Sequence, residues 1–222
     1  MKVDLSKKDS QLAQQIAELR YEELITQLAA ELEAAGLKLR LVPAELAPSP
    51  RWRELGAWLD GDDPGVLQLA AGPGLGLERV GFNGARVLAL LRGFPPGRDP
   101  SSNACLESFA YNWLGERAGP DCAIAGAQLL ARRLMRRRLG QRIRSQDLSA
   151  ASIHAWACLS ATPDPDRSLL VGQMVRVCPQ IEQRLIAIRH RVGWRGPSDS
   201  AQARRIARAL NRAQLEAERG RP

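Results

Sequence analysis

The second half of this 222-residue chain contains no lysine: from residue 112 onward all twenty cations are arginine. The stretch LLARRLMRRRLGQRIR, Leu129 to Arg144, contains no acid, although it carries seven arginines. Histidine is almost absent, with only His154 and His190. No Gly-x-Ser-x-Gly motif occurs, so the chain has neither a nucleophile elbow nor a supply of general bases, and no enzyme is expected. No Cys-x-x-Cys occurs, and Cys105, Cys122, Cys158 and Cys178 lie far apart, as free thiols of a reducing compartment do. No apolar run is long enough to span a bilayer, and MKVDLSKKDSQ lacks the apolar segment of a signal peptide. A cytoplasmic protein without a membrane association is the expectation.

The charge that is present is unevenly placed. Residues 1–111 carry 12 Lys/Arg against 15 Asp/Glu, a net of −3. Residues 112–222 carry 20 against 9, a net of +11, and the two sum to the +8 of the whole chain. A half-chain this basic is an electrostatic footprint for a polyanion, most often nucleic acid. A GC-rich genome accounts for the choice of arginine over lysine, but not for the excess of cations over acids.

Apolar spacing reads the chain as mainly α, a multi-helix globular protein with a short two-strand element in its N-terminal third. Asp9 to Gly36 forms an amphipathic helix with Leu12, Ile16, Leu19, Leu24, Ile25, Leu28 and Leu32 on its apolar side and Gly36 as its stop. It is expected to pack within its own chain; a protein partner or a second copy pairing through it is the other reading. Leu37–Val42 and Val66–Ala70 read as the two strands, and Pro50–Leu59 as a short helix carrying Trp52, Leu55, Trp58 and Leu59. GPGLG at 72–76 lacks the Lys-Ser/Thr of a phosphate loop and a clear strand-and-helix frame, so a turn is expected. From Phe82 onward seven helices are expected: Asn83–Gly93 with Asn83 as cap, Ser102–Glu116, Pro120–Leu139, Asp147–Ala161, Arg167–Val177, Gln180–Val192 and Ser198–Arg219. The organisation expected is residues 1–80 for packing or partner contact, a helical core with a basic face over 81–196, and a basic helix or tail over 197–222.

On a helical wheel, Pro120–Leu139 turns Ala123, Ala127, Leu130, Ala131, Leu134 and Met135 to one side. Arg132, Arg133, Arg136 and Arg137 fall opposite, with Arg138 near the apolar edge. Like charges one turn apart cost a few tenths of a kcal/mol each, a cost that a phosphate backbone reverses. Arg142 and Arg144 continue the basic run. In the last helix Arg204, Arg208 and Arg212 form a second stripe with Arg205 beside it, over a thin apolar strip of Ile206, Leu210 and Leu215. Such a strip holds a helix weakly, so this tail is expected either to be loose until a partner orders it or to be a frayed, solvated helix.

Arg167–Gly196 has the form helix, short turn, helix. In a helix-turn-helix reading, Gln180, Gln183, Arg184 and Arg191 reach base edges or phosphates; any helical hairpin containing a proline has the same outline. Trp194, between Arg191 and Arg195, either stacks on a base or closes a core. DGDDPG at 60–65 departs from an EF-hand loop and reads as an exposed turn. His154 and Cys158 share a helix face, with Cys105 or Cys122 as further ligands for a metal, but a buried histidine beside small thiols is the preferred reading. Neither a metal nor a cofactor is expected.

The order GFNGARVLALLRGFPPGR (81–98), SFAYN (108–112), DCAIAGAQLLARRL (121–134) and HAW (154–156) resembles that of FlhC-type transcription activators, the C subunit of the flagellar master regulator and its mobile-element relatives. The resemblance spans about residues 80–160 and implies a helical DNA-binding activator that works with a partner subunit. It does not extend to the four-cysteine zinc site of that family, because only Cys158 and Cys178 follow the Ala-Trp segment, and the N-terminal region is longer. No residue takes a role from it. The function expected is nucleic-acid binding, with DNA favoured over RNA and a DNA-binding transcriptional regulator as the leading form. An RNA-binding packaging or ribonucleoprotein subunit is the second form, and a helical adaptor docking on an acidic protein the third.

Overall fold

A computed structural model describes residues 22–49, 56–71, 77–97, 99–140 and 144–219, in two compact units that divide between Gly84 and Ala85. Among the described residues there are eight helices and one three-stranded sheet.

The first unit holds helix α1 over 22–34, strands β1 (Lys38–Pro43), β2 (Ala57–Leu59) and β3 (Val66–Ala71), and the start of helix α2 (Leu77–Leu91). The expected helical periodicity of α1 is seen in Leu24, Leu28 and Leu32, all buried; Leu12, Ile16 and Leu19 lie outside the described residues. Gly36, at φ 85°, ends the helix: its N–H donates to Glu33 O and that of Leu37 to Leu32 O, a glycine C-cap. In the sheet β3 is central, parallel to β1 (Lys38↔Val66) and antiparallel to β2 (Ala57↔Leu69). Both expected strands are therefore present.

The helix expected over Pro50–Leu59 is corrected at its described end, where 57–59 is the third strand. Trp58 sits opposite Gln68, donates its Nε1–H to Gln68 Oε1 at 2.7 Å, and packs with Val42 and Ala70. Cross-strand pairing of a large aromatic outweighs the helical spacing of two tryptophans and two leucines. The frame around 72–76 is also corrected: β3 precedes these residues and α2 follows them, while the loop itself is outside the described residues. Asn83 does not cap a helix. It lies buried inside α2, which starts six residues earlier at Leu77. Gly84, on the same helix, meets α1 so closely that an added Cβ would lie 2.3 Å from Leu28 Cδ2.

The second unit takes the end of α2 and six further helices: α3 (Pro100–Ala118), α4 (Asp121–Gly140), α5 (Ser145–Ser160), α6 (Asp164–Val177), α7 (Glu182–Val192) and α8 (Ser200–Arg219). Each expected helix is found, with shifted ends. Asp99 starts α3: its carboxylate accepts from the N–H groups of Ser101 and Ser102 and from Ser102 Oγ. Burial raises the Asp99 pKa, yet these donors outweigh it and hold the carboxyl below its ordinary value. Helix α3 is buried on all sides, from Ser101 to Leu114, and packs against α4, α5 and α8. Small residues permit the close approaches; Ser108 and Ser160 share a 2.6 Å hydrogen bond between α3 and α5. Helix α4 packs on α5 and α6, and α7 packs on α8 and α5.

The loose tail expected over 197–222 is corrected over its described part. Ala203, Ile206, Ala207, Leu210, Ala213 and Gln214 of α8 are all buried. Alanines supply half of these positions, and their small side chains bring the helix near α3 and α7. Leu215, counted in the strip, is 54% exposed. Replacing Leu210, which is fully buried, with Ala is therefore expected to destabilise the protein by about 2–5 kcal/mol in chemical denaturation, where a loose tail would give a change near zero.

Candidate nucleic-acid interface

Helix α4 buries Ala123, Ala127, Leu130, Ala131 and Leu134, so the opposite side faces out. Arg132, Arg133 and Arg136 are all exposed on it, as the wheel requires, and none forms an ion pair with another described residue. The side chains of Arg137 and Arg138 lie outside the described residues, as does Arg142 entirely; Arg144 is exposed at the start of α5. Met135 departs from the wheel. It is 44% exposed and borders a groove between α4 and α6.

That groove has a volume of about 380 Å3 and is bordered by Gln128, Arg132 and Met135 from α4 and by Gln173, Arg176 and Val177 from α6. Gln128 stands one turn before Arg132, a spacing legible in the sequence. Arg176 and Gln173 join the site through the packing of α6 on α4, which no local pattern announces.

Several acids of this unit are committed to other arginines. Asp164 pairs with Arg167 at 2.7 Å, Glu116 with Arg117 at 3.3 Å, and Glu218 with Arg184 at 3.5 Å. Asp199 accepts the backbone N–H of Gln202 near the start of α8. That N–H, ahead of burial, keeps its carboxyl below the ordinary range.

The helix-turn-helix outline is present as α6, a 3₁₀ turn at Pro179–Ile181, and α7, but its expected reading face is corrected. Arg184 is 1% exposed, donating from Nη1 to Gln214 Oε1 at 2.6 Å, so it is a core residue and not a contact for DNA. Gln214 also accepts from Ser149 and Ser152, tying α5, α7 and α8 together. Arg191 is held on α8 by a two-pronged contact with Glu216. Gln180, Gln183 and Arg195 stay exposed. Trp194 is half-buried, bordering a second groove between α6 and α7 with Val171, Leu185 and Ile186.

On α8, Arg204, Arg205, Arg208 and Arg212 are exposed as expected. Arg204 Nη1 donates to Gly93 O at 3.4 Å, and Arg208 Nε to Arg204 O at 3.3 Å. Among the described residues, helices α4 and α8 both pack on α3 but form no extended contact with each other.

The chemistry of the buried groups is quiet. Burial pushes the Cys105 and Cys158 thiols up to about 12, which keeps both protonated and poor as nucleophiles or ligands. His154 does not turn to Cys158; its Nδ1 is 2.7 Å from Glu107 Oε2. Among the described residues no three His, Cys, Asp or Glu side chains are placed to hold a metal. The acidic turn at 60–65 is internally bonded: Asp60 accepts from Arg40, Gln68 and the N–H of Asp62, and Asp63 from the N–H of Gly65.

Two predictions separate structural from surface cations. Arg184→Ala, which leaves a cavity in the core and removes one of the donors to Gln214, is expected to cost about 2–5 kcal/mol, whereas Arg191→Ala costs about 1 kcal/mol or less, both read by denaturant titration. Burial raises the Glu107 pKa, but the His154 hydrogen bond and charge, with Arg86 and Asn103, outweigh it and lower the carboxyl below its ordinary 4.5. A lowered carboxyl stabilises above that value and loses the contribution as pH falls through the folded pKa. The melting temperature of the native protein is thus expected to fall more steeply below pH 4.5 than that of Glu107→Gln. Comparison of the chain with known protein families, curated proteins and solved structures gives no match.

Proposed function

We propose that this is a nucleic-acid-binding protein, a DNA-binding transcriptional regulator in its leading form, that grips the phosphate backbone with the outward face of α4. One observation carries the reading. Arg132, Arg133 and Arg136 stand together, exposed, on a helix whose other face is buried, and no described acid meets them. Phosphates supply the opposite charge while releasing counterions. The exposed arginines of α8 add a second, sequence-independent contact surface. The order of landmarks shared with FlhC-type activators agrees with this reading. No catalytic role is proposed, because the buried thiols are held protonated and His154 is engaged by Glu107. The concave α4/α6 groove favours, as a second reading, a protein that handles single strands such as RNA.

Replacing Arg132, Arg133, Arg136 and Arg137 with Gln tests the proposal. The variant is expected to unfold at nearly the native temperature, because the described members of the set are exposed. Its affinity for DNA is expected to fall by about tenfold or more, alike across unrelated sequences, as lost phosphate contacts require. Native-like binding by this variant in an anisotropy titration contradicts the proposal.

A further inference from the structure

The α4/α6 groove carries more chemistry than phosphate contacts use. Gln128 and Arg132 of α4 face Gln173 and Arg176 of α6 across it, Met135 and Val177 supply apolar surface, and no acid is among its described lining residues. Phosphate oxygens only accept hydrogen bonds, so a site for backbone alone gains nothing from the oxygen of an amide. A nucleobase edge sets donors beside acceptors, and a side-chain amide matches that pattern with its own donor and acceptor. In duplex DNA those edges lie at the bottom of a groove about 8.5 Å deep, out of reach of a concave cleft between two helices. An unpaired nucleotide, by contrast, offers edge, ring face, sugar and phosphate as one projecting unit.

We infer that the α4/α6 groove receives one unpaired nucleotide of a nucleic-acid strand. Its base edge meets Gln128 and Gln173, its ring and sugar lie against Met135 and Val177, and its phosphate meets Arg132 and Arg176. The space of about 380 Å3 suits a single nucleotide. This inference rests on the proposed function and narrows it to strands that are open at the point of contact. The nucleotide belongs to a single strand or is extruded from a duplex; the chemistry at the groove is the same.

The test titrates the full chain with three labelled DNA probes of one arbitrary sequence, a single strand, a duplex with one bulged nucleotide and a fully paired duplex, and with a labelled polyglutamate peptide. The native protein is expected to favour an unpaired probe over the paired duplex by about tenfold, the discrimination of one good two-point edge contact. Preference for the single strand alone, or for single strand and bulge together, supports the inference and tells the two sources apart. Gln128→Leu with Gln173→Leu is expected to remove the preference by lowering affinity for the unpaired probes about tenfold, with thermal unfolding as the check on folding. Met135→Glu, at an exposed position, is a second variant that lowers single-strand affinity more than duplex affinity. Equal binding of all three nucleic acids, or a preference that survives the glutamine substitutions, overturns the groove inference and leaves the arginine face standing. Binding of none of them, or of polyglutamate in their place, overturns both.

Discussion

Twenty guanidinium groups share residues 112–222 with nine carboxylates, so this half cannot neutralise its own charge. Burial decides which arginines receive partners. A guanidinium removed from water must be hydrogen-bonded and paired, and Arg184 takes Gln214 and Glu218 for that reason. A solvated guanidinium keeps its hydration, so the surplus collects on outward faces, above all on α4. The crowding there is mild in energy because water screens it, a few tenths of a kcal/mol per pair one turn apart. Helix α4 tolerates it because Ala123, Ala127, Leu130 and Leu134 anchor the other side.

That anchoring gives the basic face its use. Helix α4 is packed against α3, α5 and α6, so its arginines are presented by a supported element and not by a loose tail. The contact with α6 also turns a convex helix surface into the wall of a groove, bringing Gln173 and Arg176 opposite Gln128 and Arg132. In α7 the same physics has the reverse outcome. There Arg184 is drawn into the core by Gln214 and Glu218 and Arg191 pairs with Glu216 on α8, so two of the four residues expected to read a groove meet protein.

Much of the architecture is legible in the sequence because its signals are local. Leucines four apart place α1 and Gly36 stops it, whereas the Asp99 cap of α3 lies three residues before the start that spacing gives. The arginine face of α4 is also a local, periodic property, which is why Arg132, Arg133 and Arg136 stand where the wheel puts them. What escapes local reading is decided by partners distant in sequence. Trp58 is in a strand because Gln68 and Ala70 await it across the sheet. Arg184 is buried because Gln214, thirty residues on, accepts from it. Helix α8 is packed because alanines, which carry little hydrophobicity each, allow two neighbours to approach. The groove on α4 is invisible for the same reason, since half of it comes from α6.

The claim that the arginine faces meet phosphates is tested most directly by titrating the native protein with random-sequence duplex DNA, single-stranded DNA and RNA over a range of salt. Each phosphate neutralised on duplex DNA contributes about −0.9 to the slope of log K against log salt, so a face of at least three or four arginines predicts a slope of about −3 or steeper. The same dependence is expected whatever the sequence, because the contacts are to the backbone. A flat dependence, or no binding to any of the three at low salt, contradicts the account and leaves an acidic protein as the partner of the α4 face.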